Sequence, residues 1–450
     1  MQWNTYPIMK ITSKEFARRR KNFMAQLGKN SVAIFPSASI LTRNKDAEFP
    51  FRQDSDFYYL TGFAEPETVL ILIPGRKQGE VVMFCRERDI TMELWNGYRA
   101  GPAGLCRDYG ADDAFPIGDI DVVLPGLLES RNRVYYSMGR DVDFDKRLMG
   151  WVNQIRSNER SGAKPPGEFI DPDHMLHDMR LIKSAAEIRV MKEAGAITAR
   201  AHKRAMSNCA PGIFEYQLEA EINHEFMRAG SRASAYSAIV GSGANGCILH
   251  YVENTEELKA GDMVLIDAGC ELEHYASDVT RTFPVNGKFS KEQRAIYEIV
   301  LEAQAAAVAE MRPGNHWNEP HDAAVKVITQ GLVKLGLLKG DVSVLIKNEA
   351  YRDFYMHRTG HWLGMDVHDV GDYKVDGEWR LLQSGMMITV EPGIYVSPNN
   401  IKVAKKWRGI GIRVEDDVLI TKDGCEVYTE AVPKSVEDIE LLMSSGLAGT

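Results

Sequence analysis

The first third of the chain alternates between helical and extended patterns of apolar residues. Phe16, Phe23 and Leu27 share one face at helical spacing, between Ser13, which can cap a helix, and Gly28, which can end it. Four short runs rich in β-branched and aromatic residues follow, each bounded by Gly, Pro or charged residues: 31–35, 57–61, 68–73 and 80–85. The pattern predicts one helix, four strands and a mixed α/β domain.

A polar segment rich in Pro and Gly separates this pattern from the next one. Residues 158–169 read NERSGAKPPGEF, and a Pro-Pro-Gly sequence can continue neither a helix nor a central strand, so we expect the interdomain connection here. Downstream, Ser184 and Glu187 have the spacing of a capping box, which predicts the start of a long helix. We therefore expect an N-terminal domain over residues 1–170 and a second domain over residues 171–450.

The second domain contains a weak internal repeat. Residues 261–269 (GDMVLIDAG) resemble residues 385–393 (GMMITVEPG), since each has a Gly, an apolar β-run, one carboxylate, a small residue and a Gly. A Pro-Gly pair followed by an amphipathic helix also occurs twice, over 211–230 and 313–336. Together the repeats indicate two related αβ halves folded around one centre. Asp267 and Glu391 would then lie on matching strands and converge.

Composition limits the class of protein and its partners. The 450 residues, 44% of them hydrophobic and 26% charged, are typical of a globular protein of two or three domains. The net charge of −9 argues against a nucleic-acid partner, because phosphate binding needs a basic surface. We also expect no membrane partner, since no apolar run approaches the ~20 residues that cross a bilayer. Six scattered cysteines without a CxxC pair, and an N-terminus without a secretory pattern, favour the cytoplasm.

Four carboxylates follow or lie within apolar β-runs, where a buried charge is costly unless it is paired or binds a metal. Asp267, Glu391 and Glu415 come directly after such a run. Asp278 lies inside the alternating run 275–283, which is expected to be a strand that pairs back on the strand before Asp267. Arg281 and Arg413 are close enough in sequence for a salt bridge with any single member. The set as a whole favours a metal site.

Histidines are concentrated in one segment of the same domain. Of the eleven in the chain, His357, His361 and His368 fall within twelve residues, beside two glycines, which indicates the lining of a polar cavity. His250 follows the Gly-rich segment 241–246, which lacks the Lys-Ser/Thr of a phosphate-binding P-loop. We therefore expect these histidines to lie near the carboxylates.

One histidine with four carboxylates is a hard, oxygen-rich donor set, which suits Mn²⁺, Co²⁺ or Fe²⁺ better than a thiolate-type zinc site. Four negative charges exceed the charge of one divalent ion, so two ions are favoured. Two such ions can share a hydroxide nucleophile and polarise a carbonyl. The residues by themselves thus predict metal-assisted hydrolysis.

These motifs resemble those of a known family. Asp267, Asp278, His361, Glu391 and Glu415, in this order, are similar to the five-ligand signature of the pita-bread metallopeptidases. Residues 357–364 (HRTGHWLG) resemble the signature of prolidase and aminopeptidase P, and residues 52–66 (RQDSDFYYLTGFAEP) resemble the N-terminal domain of bacterial aminopeptidase P. The resemblance covers nearly the whole chain. It implies an α/β N-terminal domain with a mixed sheet and an α+β pita-bread catalytic domain with a pseudo-two-fold internal repeat.

The resemblance also implies an activity. It is that of an Xaa-Pro aminopeptidase, which releases the N-terminal residue from peptides with proline in the second position. A hydroxide bridging two divalent metal ions, expected to be Mn²⁺, would attack the carbonyl before proline. A homo-oligomer, a dimer or a tetramer, is expected from the family, in which the N-terminal domain restricts access and supports oligomers.

The family further implies a role for each ligand. Asp267 would chelate one ion, Asp278 and Glu415 would bridge both ions, and His361 with Glu391 would hold the second. Glu391 would also carry the proton of the hydroxide towards the leaving nitrogen, as a carboxylate placed at the water can do.

Other residues are expected to contact the substrate. By resemblance, His250 and His368 would act in catalysis and bind the substrate around the scissile bond. His357 would line the proline pocket, with Tyr395 and Arg413 nearby; packing is the alternative for His357 and Tyr395. At Arg358 the chain departs from many aminopeptidase P sequences, which have Gly there; related prolidase-type sequences have Arg, so the departure bears on the detailed shape of the proline pocket and not on the expected activity.

Several alternatives share parts of this pattern. A prolidase would have the same five ligands but would cleave only the Xaa-Pro dipeptide. Methionine aminopeptidase needs no N-terminal domain of this length, and creatinase-type members lose ligand carboxylates. A catalytically silent pita-bread protein would be a binding module, although its ligands would be expected to decay. A dinuclear phosphoesterase would need a basic phosphate clamp, which the motifs lack.

Overall fold

The computed structural model describes residues 10–447, which form two compact units, Ile11–Arg180 and Leu181 onward. The helices of the first unit are α1 (Ser13–Met24), α2 (Ser55–Thr61), α3 (Ile90–Asn96), α4 (Gly101–Asp108), α5 (Ile120–Leu128), α6 (Val142–Ser157) and α7 (Asp173–Leu181). Its strands are β1 (Ser31–Pro36), β2 (Thr42–Asn44), β3 (Ala47–Glu48), β4 (Val69–Leu72), β5 (Val81–Cys85), β6 (Asp113–Pro116), β7 (Arg133–Tyr135) and β8 (Glu168–Ile170).

The first unit is built on a six-stranded mixed sheet of order β6-β5-β4-β1-β7-β8. Strand β1 pairs antiparallel with β4 and parallel with β7. Apolar side chains of the sheet, such as Ile34 and Ile71, pack with Leu124 of α5 and with Leu148 and Trp151 of α6 in one buried cluster. The predicted mixed α/β domain is confirmed.

The first helix is present, but its ends differ from the prediction. Phe16 and Phe23 are buried, as their spacing indicates. Ser13 is the first residue of α1 and not its cap, because the carbonyl of Thr12 already accepts the amide of Glu15 at 2.9 Å. The helix ends at Met24, before Gly28.

One of the four predicted strands is wrong. Residues 57–61 belong to helix α2, whereas the other three runs form β1, β4 and β5. The carboxylate of Asp54 accepts the amide of Phe57 at 2.9 Å and caps the helix, and Gly62, at φ 66°, ends it. Every residue of α2 is buried. A helix buried on all sides has no apolar period, so the aromatic content of the run was misleading.

The Pro-Gly segment 158–169 does not connect the two units. It leads into β8, which pairs in parallel with β7 at the edge of the first sheet. Helix α7 also belongs to this unit, because Arg180 forms a salt bridge of 2.8 Å with Asp56 and the hydroxyl of Tyr59 donates to the carbonyl of Met179 at 3.1 Å. The compact units therefore divide after Arg180, whereas the sequence analysis puts the boundary after residue 170.

The second unit contains six helices and thirteen strands among the described residues. The helices are α8 (Ala185–Asn208), α9 (Glu215–Arg228), α10 (Lys291–Ala309), α11 (Glu319–Lys334), α12 (Val342–Lys347) and α13 (Val436–Leu447). The strands are β9 (Ala233–Ser234), β10 (Ile239–Ser242), β11 (Met263–Asp267), β12 (Cys270–Leu272), β13 (Tyr275–Ala276), β14 (Thr280–Pro284), β15 (Lys374–Val375), β16 (Glu378–Trp379), β17 (Met387–Val390), β18 (Gly393–Val396), β19 (Ile410–Arg413), β20 (Asp416–Ile420) and β21 (Cys425–Val427). No helix in the described range is long and apolar enough to cross a bilayer.

The internal repeat is visible in the order of these elements. The helix pair α8 and α9 precedes β11, which pairs antiparallel with β14, and the helix pair α10 and α11 precedes β17, which pairs antiparallel with β20. Asp267 ends β11 and Glu391 directly follows β17. The capping box of Ser184 and Glu187 at the start of α8 is also confirmed.

The run 275–283 is not a single strand as predicted. It forms β13, which pairs with β12, and β14, which pairs with β11, with three residues between them. In this break Ser277 Oγ and the amide of Asp278 both donate to the carboxylate of Asp417, at 2.8 Å and 3.2 Å. These bonds to a side chain replace ladder bonds, so Asp278 lies between two strands.

A buried charge cluster in the first unit provides a test of its stability. The side chain of Asp56 is 8% exposed and binds Arg180, Arg140 and His177. Burial raises the pKa of Asp56, but the bonds to His177 and Arg180 outweigh it and hold the pKa well below its usual value. The stabilisation is therefore present above about pH 4, the unfolded value, and is lost as the pH falls below it.

We predict that Asp56→Asn destabilises the first unit by about 3–5 kcal/mol at pH 7, because its buried cations lose their carboxylate. Urea unfolding would measure the loss. The control is Asp143→Asn, since Asp143 is also ion-paired but its side chain is 92% exposed; we expect a change within about 0.5 kcal/mol. Equal effects of the two variants would contradict the prediction.

Candidate metal centre and catalytic cavity

The second unit contains a cavity of about 510 Å³. The residues lining it include nine of the ten candidate site residues: Asp267, Asp278, Glu391, Glu415, His250, His357, His361, His368 and Arg413. The tenth, Tyr395, is buried, and its hydroxyl lies 2.9 Å from Nε2 of His357. The fold thus brings together residues that are up to 165 positions apart in the sequence.

The four carboxylates come from the ends of strands in the two halves. Asp267 ends β11, Asp278 lies in the break before β14, Glu391 follows β17 and Glu415 lies between β19 and β20. The halves are joined at this point, because the amide of Glu415 donates to the carbonyl of Thr280 at 3.0 Å. Oxygen and nitrogen atoms of Asp278, Glu415 and His361 lie within 4.8 Å of one another, which makes them a candidate metal-binding group.

Hydroxyl groups that the sequence analysis missed hold these carboxylates in place. The Tyr236 hydroxyl lies 2.6 Å from Oδ1 of Asp267 and 2.5 Å from Oδ1 of Asp278, and Oγ1 of Thr280 donates to Oε2 of Glu415 at 2.6 Å. Tyr236 lies in an unremarkable segment 31 residues before Asp267, so no local motif indicates it. Thr280 could have been found from its place two residues after Asp278 on the predicted strand.

His361 lies with its ring against two of the acids. Its Nδ1 donates to the carbonyl of Trp362 at 3.0 Å, which leaves Nε2 facing Asp278 Oδ2 at 3.3 Å and Glu391 Oε1 at 3.8 Å. Burial lowers the pKa of His361, but Asp278 outweighs it and raises the pKa to about 9. Burial likewise raises the pKa of Asp278, and the bond and charge of His361 lower it further than burial raises it. The space between Asp278 and His361 therefore favours a positive charge.

The remaining acids show that the cluster has an excess of negative charge. Burial raises the pKa of Glu391 to about 7, against the charges of His361 and Arg413. Burial, followed by the charges of the other carboxylates, raises the pKa of Glu415 well above its usual value. The cluster thus combines several carboxylates with one imidazole and has too few cations to balance them. Such a donor set fits divalent metal ions of the hard or borderline kind.

The salt-bridge alternative applies to only one of the four acids. Arg413 binds the carboxylate of Asp267, and it also donates to Tyr395. Arg281 binds Asp416 at 2.7 Å and the carbonyl of Glu415, but no carboxylate of the cluster. Thus arginine pairing accounts for Asp267 alone.

His357 lies on another part of the cavity lining, and a chain of hydrogen bonds determines which of its ring nitrogens carries the proton. Nδ1 of His357 lies 2.7 Å from the carbonyl of Arg358, so it carries the proton, and Nε2 accepts from the Tyr395 hydroxyl. That hydroxyl in turn accepts from Arg413 at 3.0 Å. Burial lowers the pKa of His357 to about 3. The imidazole is therefore neutral at physiological pH, with Nδ1 also 3.6 Å from Oε2 of Glu391.

His250 and His368 are the exposed members of the set. The ring of His368 meets that of His361 edge-on, with the centroids 4.2 Å apart. The adjacent Asp369 forms a buried salt bridge of 2.9 Å with Lys183, which holds the segment that carries His368. Both histidines line the cavity with exposed side chains.

The bond from Thr280 to Glu415 allows a test of the metal centre. Thr280→Val should weaken the binding of a divalent ion by about tenfold or more, because partners that orient ligands typically contribute 10- to 100-fold in affinity. Titration calorimetry with Mn²⁺ or Co²⁺ would measure it, and Thr280→Ser should restore it. The control is Thr329→Val, since Thr329 is equally buried but bonds only within α11. Unchanged affinity in Thr280→Val would contradict the assignment.

Comparison with known proteins finds matching family models and similar relatives over nearly the whole chain. The family model of metallopeptidase family M24 matches residues 189–422, and that of the aminopeptidase P N-terminal domain matches residues 16–135. The Xaa-Pro aminopeptidases of Escherichia coli and Haemophilus influenzae are 48% and 46% identical to the chain, over 97% of it and 99% of each relative.

Solved structures give the same result. The Pseudomonas aeruginosa aminopeptidase PepP matches with a TM-score of 0.97 and 61% identity, over 98% of this chain and 100% of that one. A low-pH form of aminopeptidase P from E. coli matches with a TM-score of 0.95 and 47% identity, over 97% and 99% of the two chains. The pita-bread fold with an N-terminal aminopeptidase P domain is thus shown, and the chain belongs to metallopeptidase family M24.

Proposed function

We propose that the protein is a divalent-metal-dependent aminopeptidase that releases the N-terminal residue from peptides with proline in the second position. The observation that carries this proposal is the excess of negative charge that three buried carboxylates, the partly buried Glu391 and one imidazole create in the cavity of an M24 fold. Relatives named as Xaa-Pro aminopeptidases match nearly the whole chain, including the N-terminal domain, and support the choice of substrate.

The proposed ligands are those that line the cavity. Asp267 would chelate one ion, Asp278 and Glu415 would bridge two ions, and His361 with Glu391 would hold the second. Bound divalent ions supply a Lewis acid for the carbonyl and an activated water. Mn²⁺ is our choice for the native ion; a solved E. coli relative is described as zinc-substituted with bound product, so the metal has to be identified directly.

The chain's own residues would move protons and orient the peptide. Glu391, whose carboxylate lies beside both His361 and His357, would hold a proton taken from the water and deliver it to the leaving nitrogen. His250 and His368 would donate hydrogen bonds around the scissile bond from the open side of the cavity. These three residues are the proposed catalytic groups.

The proline pocket is assigned to the neutral His357 and its partners Tyr395 and Arg413. An Xaa-Pro bond has no amide proton and a fixed φ, so a site that grips the backbone through hydrogen bonds cannot bind it well. Both nitrogens of the His357 imidazole are already hydrogen-bonded, so this part of the cavity lining offers the substrate a ring surface and not a backbone partner. This suits the proline ring.

The activity is tested with two substrates, Ala-Pro-Ala and Ala-Pro, in the presence of Mn²⁺ and with a chelator control. We expect the release of alanine from the tripeptide and its loss with chelator. Cleavage of the dipeptide alone would assign the protein to the prolidases. No cleavage of either peptide by protein that binds metal would favour a binding module and refute the proposed function.

Asp278→Asn should abolish turnover while the protein remains folded. A bridging charge is removed, and the metal contribution of several kcal/mol corresponds to a loss of about a thousandfold or more in kcat. Circular dichroism would check the fold, and Asp423→Asn, an exposed acid in a bend, is the control. Full turnover of Asp278→Asn under limiting metal would contradict the two-metal assignment.

We also propose that the protein forms a homo-oligomer through its first unit. Helix α3 exposes a contiguous apolar surface, with Ile90, Leu94 and Trp95 each at least 80% exposed. Monomeric proteins rarely expose such surfaces without a function. A second copy of the chain is the partner that the family makes most reasonable, as a dimer or a tetramer.

Trp95→Glu should therefore lower the molar mass measured by light scattering at micromolar concentration. Val122→Glu is the control, because Val122 is 80% exposed but lies on α5, outside this surface. A wild-type protein that is already monomeric, or an unchanged mass in Trp95→Glu, would contradict the assignment of the interface.

The cytoplasm is the proposed location. All six cysteines are free thiols, and three of them are buried. Free thiols without a disulfide are typical of a reducing compartment.

A further inference from the structure

A cation with no assigned role lines the catalytic cavity. Arg358 is adjacent to His357 in sequence and is exposed, and it is one of the residues that line the cavity. Its guanidinium carbon lies 5.2 Å from the centre of the Trp379 ring. It forms no salt bridge within the part of the chain that the structure describes.

The indole that supports Arg358 is itself held in place. Trp379 belongs to β16, which pairs with β15, and its carbonyl lies 2.8 Å from Nδ1 of His316. Lys374, directly opposite on β15, places its ammonium 4.5 Å from the same ring. The arginine is thus positioned by stacking on a fixed aromatic ring, and a guanidinium stacked in this way keeps its donor edges for a carboxylate.

Arg358 does not mainly serve to neutralise the acidic cluster. The positive charges that act most strongly on Glu391 are those of His361 and Arg413. The charge of Arg358 acts instead on His321, where it follows burial as a cause that lowers the histidine pKa to about 4. The guanidinium is therefore available to an external anion.

The path of a peptide through the cavity suggests which anion this is. In the proposed function, on which this inference rests, the scissile bond lies at the carboxylates and the proline ring at His357. The chain continues by about 3.3–3.6 Å per residue, so the third residue lies one step beyond His357. Arg358 is the neighbour of His357 in sequence, and its side chain also lines the cavity.

We propose that Arg358 binds a carboxylate carried by the third residue of the peptide. That carboxylate is either the C-terminal carboxylate of a tripeptide or an acidic side chain in a longer peptide. Arginine forms planar, bidentate pairs with carboxylates. Arg358 is thus a specificity-determining residue, which gives the enzyme a preference for peptides with negative charge directly after proline.

Three peptides separate the two sources of the carboxylate: Ala-Pro-Ala, its amide Ala-Pro-Ala-NH₂, and Ala-Pro-Glu-NH₂. We expect the wild-type enzyme to prefer each anionic peptide over the neutral amide by about five- to twentyfold in kcat/KM, mainly through KM. Preference for only one of them identifies which carboxylate is bound. The ratio is taken within each enzyme form, so a general loss of activity cancels.

Arg358→Gln should bring these ratios to within about twofold of one, and Arg358→Lys should keep part of the preference as a point charge. The matched control is Lys374→Gln, which removes the other cation on Trp379 and should leave the ratios unchanged, because Lys374 does not line the cavity.

The outcomes distinguish this inference from the proposed function. Equal cleavage of all three peptides by wild type, a preference that survives in Arg358→Gln, or an equal loss in Lys374→Gln would each overturn the role of Arg358. No cleavage of any peptide by the metal-loaded wild type would refute the proposed function, and this inference with it.

Discussion

The second unit is organised around the mutual repulsion of carboxylates that the fold holds together in a confined space. Asp267, Asp278, Glu391 and Glu415 meet at the end of a cavity where burial already disfavours charge. Such an arrangement is costly unless cations compensate it. Metal binding by this unit is therefore a consequence of its charge distribution, and the surrounding residues serve to keep the acids in place.

The supporting network shows how this is achieved. The Tyr236 hydroxyl bonds Asp267 and Asp278, and the Thr280 hydroxyl bonds Glu415. The carboxylate of Glu391 lies beside His357 and His361, and only Asp267 has an arginine partner. The buried pair of Arg281 and Asp416 lies directly beside Glu415, where Arg281 also binds the carbonyl of Glu415. This pair fixes the backbone of Glu415 without neutralising its carboxylate. The carboxylates of the cluster therefore remain without a full complement of cations, whereas Arg281 and Asp416 neutralise each other.

Positive charge is also limited around His357, on another part of the cavity lining. His357 is neutral because burial, followed by the charge of Arg413, lowers its pKa, and its two nitrogens bond to the carbonyl of Arg358 and the hydroxyl of Tyr395. An imidazolium there would compete with the metal ions for Glu391. The adjacent Arg358 places its guanidinium over the ring of Trp379, where we propose that it binds a carboxylate of the peptide.

Local sequence patterns predicted much of the fold and nearly all of the candidate site. Three of four strands, the capping box at Ser184 and the repeat were readable because they depend on alternation, caps and spacing along the chain. Helix α2 was mistaken for a strand because it is buried on every side. The single strand expected over 275–283 is interrupted because Asp417, distant in sequence, binds the backbone there.

The sequence by itself indicated which residues could bind a metal, since ligand chemistry depends on residue type and on neighbours along the chain, and the family resemblance added the candidates for substrate binding. Only the tertiary structure decided what holds them. Tyr236 and Thr280 gain their importance from carboxylates that long-range pairing brings to them, and α7 belongs to the first unit through its contact with Asp56. The opposite pKa shifts of His357 and His361 were decided in the same way, because the pKa of a buried group depends on burial and on charges that reach it through space.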